Sequence, residues 1–430
     1  MYEGYCPLYN ILIAHILSTY QVCERMLRFS RNGVIIKVNQ PVCLARYTMN
    51  SQLTFLEFFA GGGLARMGLG SEWLCLFAND ISEKKARVYR ANYAPADELL
   101  VLDIAKVTTG NIPSTASLAW ASFPCQDLSL AGNGRGLQAD RSGTFWSFWN
   151  LMTALDQEGR GASVVVLENV VGLLTSNNGK DFEQLLLTLV ATGYRPGAML
   201  IDAVHFVPQS RPRLFIVAVK NDVSPSFAMS KTMASGSLWH PKAIHQAFSK
   251  LSSEIQNAWI WWSLPTPSIA RATLRDIVEE KPEGVEWHSL EETDYILSLM
   301  SSTNLAKVKA AQQCGKRQVG TIYRRMRVEE GIKIQRAEVR FDNISGCLRT
   351  PVGGSSRQIL MVVEGQTIRS RLLSVREAAR LMGLPDTYWL PTSYNEGYHV
   401  MGDAVVVAAV AWLEKHLLRK LAISLKEEIN

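Results

Sequence analysis

From Leu53 onward the chain falls into short apolar runs separated by turns and amphipathic stretches. Leu53-Thr54-Phe55-Leu56-Glu57-Phe58-Phe59 reads as a buried strand, broken by Ala60-Gly61-Gly62-Gly63 and followed by a helical stretch to about Gly70. Leu74 to Ala78 reads as a second strand ending at Asn79-Asp80, with a helix from Ser82 to Asn92. Ser117 to Ser122, Ser163 to Leu167 and the β-branched run Leu214 to Val219 read as three more. Continuous apolar runs of this length fit strands buried on both faces. Their alternation with helices predicts an α/β fold with a doubly wound, mostly parallel sheet. In such sheets ligands bind at the carboxyl ends of the strands, and the chemically interesting residues all fall at such ends.

After about Lys220 this rhythm is lost. Residues 221–370 read as irregular, with Trp259, Trp261 and Trp262 clustered. A helix start returns at Ser374-Val375-Arg376-Glu377, running to Met382, and an apolar helix closes the chain from about Ala404 to Leu417. Four parts follow: residues 1–48, an extension with no glycine turn and no catalytic cluster; 49–220, a catalytic and ligand-binding domain; 221–385, a smaller second domain; and 386–430, a segment packing back on the first. Residues 1–48 are either a short helical extension or sequence upstream of a start at Met49, which directly precedes the first strand region.

Composition adds modest constraints. Nearly half the residues are hydrophobic and a fifth are charged, as in an ordinary globular chain. The formal charge of +6 decides little, but its placement does. Between Met300 and Arg380 sixteen Lys/Arg stand against six Asp/Glu, an excess larger than that of the whole chain. A cationic surface of that size suits a polyanion, and a solvated face equally. Seven cysteines without a CxxC pair indicate neither a disulfide framework nor a metal site, which makes a reducing, cytoplasmic setting the default. No apolar run reaches the ~18 residues of a membrane span. Tyr9 to Leu17 lacks the basic residues that precede a secretory signal.

Four features could carry chemistry. Phe59-Ala60-Gly61-Gly62-Gly63 lets backbone approach a ligand closely, and Asp80 stands where an acid accepts hydrogen bonds from ribose hydroxyls. A nucleoside ligand and a purely structural turn both fit. The dinucleotide fingerprint does not, because the glycine after Gly61 and Gly63 is Gly68. Pro124-Cys125-Gln126 places a thiol at a strand end, ahead of the glycine-rich segment Leu130 to Gly143 with Arg135, a composition suited to a closing loop. Glu168-Asn169-Val170 puts a carboxyl at the tip of an apolar strand, where it needs a partner or a proton, or caps a helix. Gln209-Ser210-Arg211-Pro212-Arg213 places two arginines at alternate positions, hence on one side, suited to phosphate or to fixing a carboxylate such as Glu168.

In this order and spacing the features resemble the cytosine-C5 DNA methyltransferase family, over about Leu53 to Leu417. Phe55 to Gly63 is similar to its cofactor-binding motif, with Glu57 where members more often carry Asp. The resemblance implies S-adenosylmethionine as cofactor, in a Rossmann-like methyltransferase domain, contacted by Phe59, Ala60, Gly61, Gly63 and Leu64. It further implies ribose and adenine contacts from Asp80 and Ile81 and an adenine-reading pair Asp103-Ile104. Pro124, Cys125 and Gln126 match the nucleophile motif, Glu168 the residue that contacts the target cytosine, and Gln209, Arg211 and Arg213 the Gln-x-Arg-x-Arg motif. Arg371 to Pro385 resembles the block supporting a target-recognition domain, which assigns that role to 221–385. The last motif departs from the pattern: Gly402-Asp403-Ala404 stands where Gly-Asn is usual, so Asp403 and Ala404 adjoin the methionine end of the cofactor, with Asp403 able to pair with its amino group. The implied activity is methyl transfer to C5 of a flipped-out cytosine in double-stranded DNA. The enzyme is expected to be bacterial, cytoplasmic, monomeric and nucleoid-associated in action. It would serve either beside a cognate restriction endonuclease in a restriction–modification system or as a solitary enzyme. Gln209, Arg135, Arg324, Arg325, Arg349 and Arg357 are the expected DNA contacts. A transfer-RNA cytosine methyltransferase and an inactive DNA-binding relative are the alternatives.

Overall fold

The apolar runs do become the centre of a sheet. The computed structural model describes residues 52–124, 143–223, 237–267, 272–350 and 357–429. Cys125, Gln126, Arg135 and residues 1–48 lie outside them. Seven strands form the main sheet: β1 (Leu53–Phe58), β2 (Trp73–Asp80), β3 (Leu99–Val101), β4 (Leu118–Ala121), β5 (Val164–Val170), β6 (Tyr194–Asp202) and β7 (Pro212–Lys220). Their order is β3-β2-β1-β4-β5-β7-β6, parallel from β3 to β5, with β7 running against both β5 and β6. Side chains alternate across the pleat into two cores. Phe55, Trp120, Val166 and Val217 face one, covered by the helices Leu64–Leu69 and Val407–Leu413. Phe58, Ala121, Val165 and Ile216 face the other, covered by Thr144–Gln157 and Lys180–Ala191. This is the doubly wound, mostly parallel α/β sheet that the pattern predicts.

Two strands, β3 and β6, are not anticipated by the hydrophobic pattern. β6 contains Pro196 and Gly197, which argue against a central strand, but β6 is the edge. Its free side is covered by residues 239–262: Leu200 N–H donates to the Trp239 carbonyl at 2.9 Å and Ile260 N–H to the Pro196 carbonyl at 2.9 Å. Gly197 is required because a Cβ there would collide with the Ile260 carbonyl and the Trp262 indole.

The stretch expected to be irregular is partly ordered into a second, antiparallel sheet. β8 (Gln318–Glu329), β9 (Ile332–Arg340), β10 (Ile359–Glu364) and β11 (Thr367–Leu372) pair in the order β11-β10-β8-β9 and build a small core with the helices Leu290–Ser298 and Ser302–Gln313. The late motif block fastens this part. Arg371 and Glu377, both fully buried, form a bidentate pair at 2.7 and 2.6 Å, and Glu377 also accepts from the Ser374 and Glu279 N–H groups. No helix among the described residues is long and apolar enough to cross a membrane.

Candidate active site

The parallel strands deliver their last residues to one edge. At the end of β1 the chain turns sharply: Phe59 adopts φ +59°, rare for a residue with a side chain, and Gly61 and Gly63 also lie at positive φ. No atom comes within 4 Å of where a Gly61 Cβ would stand, so the turn faces open space there. Asp80, at the end of β2, is 6% exposed, and its two oxygens accept the Gly61 and Ser82 N–H groups at 2.8 Å each. Beside it Ile81 is 69% exposed, an unusual exposure for so apolar a side chain. Ala60 and Leu64 are buried beneath the turn. Asp103 Oδ1 accepts the Ala105 N–H at 3.0 Å, capping a short turn. The Ile104 side chain is buried in the core with Phe58 and Phe77.

Glu57 lies beneath the turn, fully buried. Its Oε1 accepts the Arg66 N–H at 3.3 Å, and its Oε2 has no hydrogen-bond partner. Burial pushes its carboxyl up to about 8, opposed by the hydrogen bond and charge of Arg66.

On β5, Glu168 is 6% exposed. It does not cap a helix: the strand continues to Val170, and Asn169 accepts the Val170 N–H through its own Oδ1. Because β7 runs antiparallel to β5, its first residues lie at the carboxyl end of β5, with Val170 opposite Arg213. Arg213 Nε thereby meets Glu168 Oε1 at 3.3 Å. Pro124, the last described residue before Cys125, follows Phe123 from β4, the strand beside β5.

Both motif arginines reach toward the Cys347 sulfur, Arg211 at 3.3 Å and Arg213 at 4.0 Å, as alternate positions on one side require. Their remaining contacts separate them. Arg211 is 1% exposed and donates to the backbone carbonyls of Leu348 at 2.6 Å, Gly402 at 2.9 Å and Ala404 at 2.7 Å. Arg211 thus holds backbone, while Arg213 holds the carboxyl. Gln209 is completely buried, with its amide donating to the Leu381 carbonyl and accepting the Leu348 N–H. A DNA contact for Gln209, expected from the motif, is therefore corrected: its amide is used up in joining two segments. Asp403 pairs with Lys85 at 2.8 Å, a partner the sequence alone does not suggest.

The expected DNA-facing arginines are spread. Arg324 and Arg325 are neighbours on a strand and point to opposite faces. Arg325 stacks over Tyr323 and approaches Glu338, Arg349 is exposed, and Arg357 binds Asn395 and lies over Tyr394.

A mostly parallel sheet with one reversed strand, a positive-φ glycine turn and a buried acid–arginine pair at the carboxyl ends of its strands defines a doubly wound α/β protein with a candidate ligand site on that edge. The chain belongs to the C-5 cytosine-specific DNA methylase family, whose model matches residues 53–419, and its activity is that of a DNA (cytosine-5-)-methyltransferase. It is 26% identical over 395 residues to the type II methyltransferase M.HpaII of Haemophilus parainfluenzae, covering 87% of this chain and 91% of that one. To M.HhaI of Haemophilus parahaemolyticus it is 25% identical over 365 residues, covering 84% and 93%. Among solved structures its fold is similar to the methyltransferase EhMeth of Entamoeba histolytica, with a TM-score of 0.55 at 14% identity, covering 86% of this chain and 99% of that one. DNMT2 of Spodoptera frugiperda gives a TM-score of 0.54 at 18% identity, covering 86% and 100%.

Proposed function

We propose that this methyltransferase acts on a cytosine flipped out of double-stranded DNA, through a transient bond between Cys125 and ring carbon 6, with S-adenosylmethionine as methyl donor. Carbon 5 of cytosine is a poor nucleophile. Addition of the Cys125 thiolate to carbon 6 makes carbon 5 enamine-like. Negative charge then moves toward ring N3, where the Glu168 carboxyl, held on Oε1 by Arg213, offers a hydrogen bond. The cofactor supplies an electrophilic methyl when bound. After transfer the C5 proton leaves to a base, the carbon 6–sulfur bond breaks, and Cys125 departs as thiolate. Both ring faces must be accessible, hence the flipped base. The observation that carries this reading is the Glu168–Arg213 pair on the sheet edge where β4 delivers Pro124.

The residues present suit the cofactor. The turn is open before Gly61, the Asp80 carboxylate braces it through the Gly61 and Ser82 N–H groups, and the exposed Ile81 beside it would offer an apolar platform for the cofactor's base. Phe59 to Leu64, Asp80, Ile81 and the Asp103 turn would hold it, with Asp403 and Ala404 at the far rim. The enzyme acts as a monomer and serves as the modification partner of a restriction endonuclease. The similarity to type II methyltransferases supports that role.

Trapping on DNA containing 5-fluorocytosine tests the chemistry, because the fluorine cannot leave as a proton does. A denaturation-resistant protein–DNA adduct is expected, and it should vanish in Cys125→Ala. An adduct that persists in that variant overturns the assignment.

A further inference from the structure

The departure at Asp403 has a counterpart elsewhere. Asp403 ends the helix Tyr394–Asp403, and its carboxylate meets the Lys85 ammonium at 2.8 Å. Lys85 lies in the first turn of the helix Glu83–Tyr93, its own N–H capped by the Ser82 hydroxyl. Asp80 is the second acid that acts on it. Burial works against the charged ammonium, but Asp403 and then Asp80 outweigh it and raise its pKa. The pair is not what joins the two helices, since Glu396 already binds Arg87 at 2.7 Å and Lys84 at 3.5 Å.

Its position is at the glycine turn. Val400, one turn before Asp403, packs so closely on Gly62 that a Cβ there would fall 3.1 Å from Val400 Cγ1. The Tyr388 hydroxyl donates to the Gly62 carbonyl at 2.6 Å. Behind, Arg211 fixes the Gly402 and Ala404 carbonyls on either side of Asp403. Two acids and one ammonium thus stand together at the rim of the turn with a net charge of one negative.

We propose that Asp403 neutralises Lys85 and so preserves, through Asp80, the negative field by which the cofactor site favours the sulfonium S-adenosylmethionine over its neutral thioether product. This rests on the cofactor reading given above. The two molecules differ only in one methyl group and one positive charge, so adenine, ribose and the amino-acid end cancel in the ratio of their affinities. What remains is the field at the sulfur, to which a neighbouring unit charge contributes directly. An amide at position 403 with no lysine at 85 would leave the same net charge, so the lysine and the aspartate compensate each other. Both side chains are partly exposed, at 27% for Lys85 and 39% for Asp403, so solvent screens the effect. Removing one charge should change the affinity ratio by about threefold.

Calorimetric titration of the full chain with S-adenosylmethionine and S-adenosylhomocysteine tests this, reading the Kd of the product divided by that of the cofactor. Asp403→Asn should lower the ratio about threefold, Lys85→Met should raise it by a similar factor, and the double variant should return it close to the original. A ratio unchanged in both single variants, or shifted the same way in both, overturns the proposal. Thermal melts establish that each variant is folded. If Asp403→Asn is not, Lys85→Met alone decides, since a rise supports the proposal and no rise refutes it. A starting protein that binds neither molecule would instead refute the cofactor reading, and the two failures are distinct.

Discussion

Arg211 and Arg213 stand two positions apart, and their chemistry differs because their partners do. Arg211 is a buried cation whose hydrogen bonds run to three backbone carbonyls and a sulfur. A lysine cannot reproduce that planar fork. Arg211→Lys is therefore expected to lower stability by roughly 3 kcal/mol, measured as a shift of the urea midpoint. Arg213 instead fixes the Glu168 carboxyl at the proposed reacting edge. Arg213→Lys, which keeps a cation beside the buried Glu168, should leave the midpoint nearly unchanged while lowering kcat on the order of 10-fold. If both variants lose stability alike, this division of labour is wrong. Glu57 makes a different prediction. Its carboxyl titrates near 8 when folded against an ordinary 4.5, so the folded state binds the proton more tightly. Stability from this group is thus complete below about 4.5 and is lost as the pH rises through about 8. Glu57→Gln should remove that decline, which for one group has a slope of at most about 1.4 kcal/mol per pH unit. Melting temperatures from pH 5 to 9 would show it, and parallel curves for the two proteins would count against it.

At the scale of elements, the same physics decides what the sequence reveals. β1, β2, β4, β5 and β7 are legible because a strand buried on both faces must be apolar throughout, as Val164 to Leu167 and Leu214 to Val219 are. β6 is hidden because its proline and glycine answer to a neighbour over sixty residues away. The antiparallel sheet is hidden because much of β8 and β9 is exposed on both faces and carries arginines, so their alternation of residue types lacks the buried apolar face that marks a strand. At the site, residue types at strand ends are legible, and their pairing is not. Nothing local to Gln209 or Arg211 announces Leu348, Leu381, Gly402 or Ala404, and Asp403 gives no hint of Lys85. Gly197 offers a test at this scale. Gly197→Ala should force residues 259–262 off the sheet edge and lower stability by about 1–3 kcal/mol. Trp262→Phe, which loses only the indole bonds to the Gly197 and Val217 carbonyls, should cost about 1 kcal/mol. A Gly197→Ala variant as stable as the original protein would mean that the edge cover repacks freely.

Over the whole molecule, charge is distributed unevenly in a way that suits its substrate. At the proposed catalytic edge Glu168 is offset by Arg213 and Asp403 by Lys85, whereas the basic excess between Met300 and Arg380 is concentrated around the second sheet. There β10 pairs only with Gln318 to Ile322 of β8, so from Tyr323 onward β8 and β9 continue as a two-stranded ribbon. A ribbon of this width fits the major groove of DNA. One of its faces carries Arg325, Arg327 and Arg336, the first two sharing Glu338 and the third held by Glu329. Its other face turns out Met326 and Val328, exposed at 58% and 68%. Arginines already shared with carboxylates give up part of their attraction for phosphate, so the two acids should weaken and orient the docking of DNA. The joint variant Arg325→Ala/Arg327→Ala is expected to bind duplex DNA more weakly and to reduce the slope of log K against log salt by about 0.9 for each phosphate that is no longer neutralised. Glu338→Gln should act oppositely and tighten binding at low salt, because it releases both arginines without removing them. Fluorescence anisotropy on one duplex across a salt series measures all three proteins. If neither slope nor affinity moves in either variant, the ribbon lies away from the DNA, and the basic excess acts through other residues of the stretch from Met300 to Arg380.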